Sequence, residues 1–237
     1  MRKNKPKKSG NVSKPESRTI VYRNRLKPKT IHQNDYIHSM AENTITFCHG
    51  PAGSGKTHIA VGLALEYLLE NKVEKIVITR PVVEAGEKLG FLPGKAEDKL
   101  SPYLLPLFDE LNHFISPFDL SYLKNEKKIV VVPLALMRGR SFHNSFIVAD
   151  ECQNASYEQL KMLLTRIGHN SKMVLTGDVT QSDLQSHRQG GFNHLIDILH
   201  DINQVSMVHL DGADILRNPI ISSIIPRIES VEQEEKE

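Results

Sequence analysis

The sequence predicts a three-layer α/β fold in which a mainly parallel β-sheet lies between two layers of helices. Short runs that are apolar almost throughout recur along the chain, helical patterns separate several of them, and a glycine-rich turn joins the first run to the first helical pattern. Strands without polar–apolar alternation are typical of a parallel sheet that is covered on both faces. Repeated β–α–β units with right-handed crossovers then place helices on both sides of that sheet.

The strands are predicted where β-branched and apolar residues cluster. They cover Ile45–Cys48, Lys75–Thr79, Ile129–Val132, Phe146–Ala149, Met173–Thr176 and Val205–Leu210. Because these runs do not alternate, we expect both of their faces to be buried.

Helices are predicted between the strands. They cover Lys56–Glu70, Ser156–Ile167, Asn193–His200 and Pro219–Arg227. In the first of them, Ile59, Leu63 and Tyr67 form one apolar stripe, and in the second Ser156 is a suitable N-cap. Residues 86–117 contain four prolines, so we expect an irregular excursion on the rim of the sheet rather than a helix.

The composition predicts one domain with two polar tails. At 237 residues, with 39% hydrophobic and 24% charged residues, the chain suits a single buried core. We expect the domain to occupy residues 20–228, between a basic disordered tail at 1–19 and an acidic tail at 229–237. The basic tail either holds phosphate groups electrostatically or only keeps the protein in solution, and the sequence leaves both open.

The sequence also predicts where the protein resides. No apolar run reaches the length of about 18 residues that a membrane span needs, so we expect no membrane partner. The lysine-rich N-terminus lacks the apolar segment of a secretory signal. Two cysteines, Cys48 and Cys152, form neither a disulfide framework nor a zinc site, and they suit a reducing compartment. We therefore expect a cytoplasmic protein.

A phosphate-binding loop follows the first predicted strand. Its residues are Gly50, Pro51, Ala52, Gly53, Ser54, Gly55, Lys56 and Thr57, which fit the pattern G-x-x-x-x-G-K-[ST]. Backbone N–H groups of such a loop, together with the following helix N-terminus, cradle phosphates. Lys56 can reach the β- and γ-phosphates, and the Thr57 hydroxyl can hold Mg²⁺. The strand before the loop and the helix after it argue against a chance match, and ATP and Mg²⁺ are the expected cofactors.

An acidic pair, Asp150 and Glu151, ends the predicted strand Phe146–Ala149. We expect Asp150 to hold Mg²⁺, directly or through water, opposite Thr57, and Glu151 to accept the proton of the attacking water. The alternative is an exposed acidic pair that caps the next helix. The phosphate-binding loop earlier in the chain favours the magnesium site, because a nucleotide site of this kind needs a carboxylate at the end of a second strand.

A third strand, Met173–Thr176, ends in a similar way. The carboxyl ends of parallel strands share one crevice, so Thr176, Asp178 and Gln181 are expected on the γ-phosphate side. Gln181 is a candidate for orienting the hydrolytic water or for sensing the γ-phosphate. The alternative is a simple Gly-Asp turn after a core strand.

Five segments together carry a family resemblance. Gly50–Thr57, Arg80–Gly94, Met137–Arg140, Asp150–Asn154 and Thr176–Gln181 resemble the PhoH family of P-loop ATPases, and the match runs from about Lys27 to Arg227. The resemblance implies a RecA-like P-loop NTPase core related to the ATPase domains of superfamily-one helicases. It also implies ATPase activity linked to phosphate starvation and, in some branches, to RNA handling. The chain is too short for the added nuclease or RNA-binding domain of some members, so the ATPase core alone is expected.

The resemblance assigns further residues by position. Gly177, Asp178 and Gln181 resemble the Gly-Asp-x-x-Gln element of helicases, and Lys29–Gln33 resembles the family's glutamine element, which implies that Gln33 reads the adenine edge. Two departures stand out. Cys152 replaces the family's usual alanine, and residues 185–188 replace a proline-arginine-glycine run, which puts in doubt any role for Arg188.

An arginine aimed at the γ-phosphate would complete such a site. The candidates are Arg138, Arg140, Arg166, Arg188 and Arg217, of which Arg217 looks most like the family's late arginine. A single RecA-like core lacks a second lobe, so a neighbouring copy is expected to supply the arginine in a ring, a homo-hexamer by preference. Arg80 with Lys88, and Arg138 with Arg140, flank loops that are candidates for following a nucleic-acid backbone.

Three functions compete. The first is an ATPase coupled to RNA or single-stranded DNA, with helicase-like remodelling. The second is a nucleotide-dependent switch or scaffold that recruits a ribonuclease or another partner without remodelling nucleic acid. The third, a small-molecule kinase, is disfavoured because a kinase passes the γ-phosphate to an acceptor and does not need a water-activating Glu151.

Overall fold

The computed structural model describes residues 18–82, 96–179, 181, 190–215, 224 and 227. Within them a six-stranded sheet has the order β3-β2-β4-β5-β1-β6, and every neighbouring pair is parallel. The strands are β1 Ile45–His49, β2 Lys75–Arg80, β3 Ile129–Pro133, β4 Ser145–Ala149, β5 Lys172–Gly177 and β6 Val205–His209. Each predicted strand is therefore confirmed, with ends that differ by at most one residue.

Helices cover both faces of this sheet, which confirms the three-layer α/β fold. They are α1 Ile31–Glu42, α2 Lys56–Leu69, α3 Ala96–Phe114, α4 Pro117–Asn125, α5 Tyr157–Leu164 and α6 Gly191–Leu199. One apolar core joins helices α1 to α4 to the sheet through strand residues such as Ile76 and Val148. A second core joins α5 and α6 to the opposite face through residues such as Val77 and Ile147. In the described part of the chain, no helix combines the length and the apolar character needed to cross a membrane.

The expectation of an irregular excursion over residues 86–117 is wrong for the part that the structure describes. Helix α3 occupies Ala96–Phe114 and contains Pro102 and Pro106. A proline inside a helix costs about 3 kcal/mol, but burying one large apolar side chain returns about 1.5–3 kcal/mol. Four such side chains of α3 are at most 8% exposed, Leu104, Leu107, Leu111 and Phe114. Their burial outweighs the two prolines, which the local sequence pattern does not reveal.

Helices α1 and α4 were not predicted either, and side-chain caps explain where they begin. Thr30 caps α1 by accepting from the backbone N–H of Gln33, and Ser116 caps α4 by accepting from that of Asp119. The predicted helix Ser156–Ile167 is shorter in the structure, because α5 ends at Leu164, with Ser156 as its N-cap in a capping box.

Some predictions fall on residues outside the described ranges. The predicted helix Pro219–Arg227 is one of them, because only Ile224 and Arg227 of it are described. The others are residues 1–17 and 228–237, which include most of the two predicted tails, and residues 83–95, which include Lys88. Arg18, assigned to the basic tail, is described, and its guanidinium lies 2.8 Å from Asp119.

The strand order decides where a site can form. β5 lies between β1 and β4, so the carboxyl ends of these three strands are neighbours. The glycine-rich loop follows β1, the acidic pair follows β4, and the Gly-Asp turn follows β5. In open parallel sheets, ligands bind in a crevice at this edge.

Candidate active site

The glycine-rich loop leaves β1 at Gly50 and enters α2 at Lys56. A Cβ atom at Gly50 would lie 2.1 Å from the carbonyl oxygen of Leu210, so only glycine fits against the segment that follows β6. Gly55 has φ of 88°, in the left-handed region, and a Cβ there would lie 3.0 Å from Nε2 of Gln33. The two glycines therefore let the loop pack closely between its two neighbours.

Lys56 bends back over this loop. Its Nζ donates to the carbonyl oxygens of Gly50, at 2.6 Å, and Pro51, at 2.9 Å. The Ser54 hydroxyl donates to the same Pro51 oxygen at 2.9 Å. Carbonyl dipoles hold the ammonium without neutralising its charge, so the loop keeps one net positive charge. A chain of phosphates, with negative charge spread over its oxygens, fits this donor set.

Asp150 connects the loop to the ends of β4 and β5. Its Oδ1 accepts hydrogen bonds from the hydroxyls of Thr57, at 2.6 Å, and Thr176, at 2.8 Å, and the residue is 4% exposed. Adjacent ligands of octahedral Mg²⁺, each about 2.1 Å from the ion, lie about 3 Å apart. The Thr57 hydroxyl and the Asp150 carboxylate are therefore close enough together that both would hold one Mg²⁺.

Glu151 adopts a strained backbone conformation. Its φ of 54° and ψ of 41° lie in the left-handed region, which costs a non-glycine residue of order 1 kcal/mol or more. Nε2 of Gln153 donates to Oε2 at 2.5 Å, and Nη2 of Arg80 lies 3.5 Å from Oε1. Such strain persists at functional sites because the surrounding contacts impose it.

Arg80 is a site residue that the sequence reasoning assigned elsewhere. It ends β2, the neighbour of β4, and its Nη1 lies 3.9 Å from Oδ2 of Asp150. The prediction paired it with Lys88 on a nucleic-acid loop. The available signal was its position at the carboxyl end of a predicted strand, the same edge that carries the acidic pair.

The turn after β5 joins the other two segments. The Gly177 carbonyl accepts from the N–H of Gly50 at 3.2 Å, and the N–H of Asp178 donates to Oε1 of Gln153 at 3.1 Å. Asp178 is buried, whereas Gln181 is exposed and its N–H donates to the Asp178 carbonyl at 3.3 Å. Asp178 thus lies within the site, and Gln181 lies at its solvent side.

The Gln33 side chain already has backbone partners. The resemblance implied that its amide reads adenine. Oε1 accepts from the N–H of Lys29 at 2.9 Å, Nε2 donates to the Ser54 carbonyl at 3.0 Å, and the residue is 3% exposed. Gln33 is therefore next to the loop, where it holds the loop's backbone.

A cleft of about 540 Å³ opens beside Gln33, Gly53 and Gly55. The described residues that line it include four with cationic side chains and none that is acidic. The cationic residues are Arg23, Arg25, Lys27 and Lys29. Among the described residues that line the cleft, neither Asp150 nor Glu151 is found. The positive lining of the cleft suits a ligand that carries negative charge.

Two buried thiols flank the site without joining its chemistry. Burial raises the pKa of Cys48 to about 12. Burial, and then the negative charges of Asp150 and Glu151, raise the pKa of Cys152 well above its usual value. Both thiols therefore stay protonated at neutral pH, and Cys152 acts as a small apolar residue beneath the acidic pair.

Of the candidate arginines, Arg188 and Arg217 lie outside the described residues. Arg138 and Arg140 are exposed, and Nη1 of Arg166 donates to the Arg140 carbonyl at 3.2 Å. Phe142, two residues after Arg140, pairs with Ile167 just ahead of β4 and β5. Arg140 and Arg166 are therefore at the amino ends of these strands, opposite the phosphate-binding loop.

Comparison with known proteins gives consistent findings. The family model described as PhoH-like protein matches residues 25–229. A PhoH-like protein of Synechocystis sp. is 45% identical over 207 residues, which cover 87% of this chain and 63% of that protein. A PhoH-like protein of Bacillus subtilis is 42% identical over 84% of this chain and 63% of its own length. Protein PhoH of Escherichia coli K12 is 35% identical over 79% of this chain and 54% of its own length. The chain thus spans less than two thirds of the length of these relatives.

A solved structure supports the fold alone. The large terminase from a thermophilic bacteriophage superposes with a TM-score of 0.51 at 11% identity, over 85% of this chain and 50% of that one. At this identity the likeness concerns the arrangement of strands and helices and not the activity.

Proposed function

The chain belongs to the family of PhoH-like proteins, and from this membership and the geometry of the site we propose that it is a Mg²⁺-dependent ATPase. One observation carries the proposal. The Thr57 hydroxyl lies 2.6 Å from the Asp150 carboxylate, so the phosphate-binding loop and the acidic strand end meet at one point. If the loop and the acidic pair lay on separate surfaces, they could not bind the phosphates and the metal ion of one nucleotide together.

Each residue of the site has a role in this proposal. Backbone N–H groups of Gly50–Thr57 and the Lys56 ammonium bind the phosphates, and Thr57 and Asp150 hold Mg²⁺. The metal, when bound, withdraws charge from the phosphate oxygens. Glu151 accepts the proton of the attacking water as the bond to the γ-phosphate breaks. In this proposal Asp178 and Gln181 line the γ-phosphate side, and Gln181 orients that water.

Two substitutions test the ATPase proposal. Lys56→Ala removes the charge that holds the phosphates, so we expect weak nucleotide binding and no turnover. Glu151→Gln keeps the shape of the site but removes the proton acceptor, so we expect normal ATP binding and a turnover lower by about 10²–10⁴-fold. Phosphate release measures turnover, and equilibrium binding of ATP measures affinity. Lys161→Ala and Glu158→Gln, on the exposed side of α5, are matched controls that should behave as wild type.

We further propose that turnover is coupled to RNA or single-stranded DNA. The positive lining of the cleft beside the loop favours a polyanionic ligand, and adenosine itself carries no charge. The phosphate-release assay should therefore give a higher rate with single-stranded RNA or DNA, and the increase should shrink as salt rises. A rate that no nucleic acid changes would instead favour a nucleotide-dependent switch that recruits a ribonuclease or another partner.

A further inference from the structure

One side chain joins the acidic pair to the turn after β5. Nε2 of Gln153 donates to Oε2 of Glu151 at 2.5 Å, and Oε1 of Gln153 accepts from the N–H of Asp178 at 3.1 Å. Glu151 follows β4, whereas Asp178 follows β5. The two ends of one amide therefore connect two different strands of the site.

The surroundings of Gln153 keep this amide in place. The residue is 8% exposed and lies in the short 3₁₀ turn Cys152–Asn154, which is fixed where Sγ of Cys152 donates to the Ala149 carbonyl at 3.3 Å. A Cβ at Gly177 would come within 3.1 Å of Oε1 of Gln153 and within 2.7 Å of the Phe192 ring. Glycine at 177 thus leaves just enough room for the amide to reach the N–H of Asp178.

The same turn also contacts the phosphate-binding loop. The N–H of Gly50 donates to the Gly177 carbonyl at 3.2 Å, one residue from the Asp178 N–H that Gln153 holds. A displacement of the loop by phosphates would therefore move the turn, and through Gln153 it would move the carboxylate of Glu151. Three hydrogen bonds make this connection: from Gly50 to Gly177, from Asp178 to Gln153, and from Gln153 to Glu151.

We propose that Gln153 is a positioning residue that aligns the carboxylate of Glu151 with the turn at Gly177 and Asp178. The proposal rests on the ATPase function above, in which Glu151 is the proton acceptor. Gln153 does not touch the reacting atoms. It fixes one oxygen of Glu151, while Arg80 lies 3.5 Å from the other. Without Gln153 the carboxylate turns away from the attacking water, and the chemical step slows although the nucleotide still binds.

Gln153→Met and Gln153→Glu test this role. Methionine has a similar length but neither polar group, and glutamate keeps an acceptor for Asp178 while it places a carboxylate against Glu151. We expect both variants to lower kcat about 10- to 100-fold, because misplacement by about 1 Å has an effect of this size. KM for ATP and the affinity for ADP should stay within about two-fold of wild type, which a merely structural role would not predict. Gln159→Glu on α5 is a matched control, because glutamate keeps an acceptor for the Ser156 N–H in the capping box. Lys161→Met, at an exposed position of the same helix, is the apolar control.

Other outcomes overturn the proposal. A kcat within two-fold of wild type in either Gln153 variant would mean that Glu151 needs no such support. If neither variant folds or binds ADP, Gln153 has a structural role and the positioning role is wrong. The ATPase proposal is tested separately, because it fails if the wild type does not hydrolyse ATP or if Glu151→Gln retains full turnover.

Discussion

The buried amide of Gln33 has two candidate roles, reading adenine and supporting the phosphate-binding loop. Its Oε1 and Nε2 bond to the backbone of Lys29 and Ser54, at 2.9 and 3.0 Å. A side-chain amide offers two N–H groups and two lone pairs, so one of each is already committed. Reading adenine would use the remaining N–H group and lone pair of the amide. Holding the loop uses the N–H group and the lone pair that already bond to the backbone. If Gln33 reads adenine, its loss should weaken the binding of adenine nucleotides only. If it holds the loop, its loss should weaken the binding of every nucleotide equally.

Gln33→Ala separates them. Because the variant leaves the backbone groups of Lys29 and Ser54 without their side-chain partner, we expect about a ten-fold loss of affinity for ADP and for GDP alike. Equilibrium binding of both nucleotides measures the effect. Asn34→Ala, the exposed neighbour on α1, should change neither affinity. A loss confined to ADP would mean that Gln33 reads the base.

The sequence predicted some site residues and not others for a physical reason. The glycine-rich loop, Asp150 and Glu151 are recognisable because their spacing along the chain encodes a fixed local shape. Arg80 and Gln153 have no such local pattern, since their partners lie on strands that are distant in sequence. Only the order β2-β4-β5 brings Arg80 to Asp150 and Gln153 to Asp178.

At the scale of single elements, one cluster ties the start of α1 to the segment after β6. The buried Asp214 carboxylate accepts from the hydroxyl of Thr30, the N-cap of α1, and Nδ1 of His32 lies 3.0 Å from it. The N–H of Asp211 donates to the same carboxylate at 2.8 Å. Leu210, next in sequence, packs on Gly50. This cluster therefore helps to fix both sides of the phosphate-binding loop.

The cluster predicts a dependence of stability on pH. The hydrogen bond and the charge of Asp214 raise the pKa of His32, with smaller contributions from Asp211 and Asp35. Burial raises the pKa of Asp214, but hydrogen bonds from Thr30, Asp211 and His32 outweigh burial and lower it overall. A raised histidine pKa stabilises the fold fully below the unfolded value of about 6.5, and the contribution is lost as pH rises through the folded pKa.

His32→Asn tests this dependence by thermal unfolding between pH 5.5 and 8.5. We expect the Tm of the wild type to be higher than that of the variant. The difference in Tm should be largest near pH 5.5 and should shrink towards pH 8.5. His38→Asn, at an exposed position on the same helix, is the matched control for the loss of an imidazole. A difference for His32→Asn that grows with pH would contradict the assignment of a charged His32 to this cluster.

At the scale of the whole molecule, the parallel sheet was predictable because doubly buried strands are apolar throughout, and all six runs form strands. The order of the strands in the sheet could not be predicted, because it depends on pairing between segments that are far apart in sequence. Helix α3 was missed for a related reason, since its prolines are visible locally and its burial against α2 and the sheet is not. Among the described residues, Arg80 is the arginine that lies beside the acidic pair.

We propose that a neighbouring copy completes the site and that Arg217, which lies outside the described residues, is the finger arginine. If it acts between subunits, turnover per subunit should rise with protein concentration as rings assemble, with sedimentation measuring the assembly. Glu151→Gln and Arg217→Ala should each be inactive alone, yet their mixture should regain activity, because one subunit supplies Arg217 and its neighbour supplies Glu151. Arg166→Ala, at the opposite strand ends, should stay active alone. A monodisperse monomer with constant turnover per subunit, or a mixture that stays inactive, would show that each chain completes its own site.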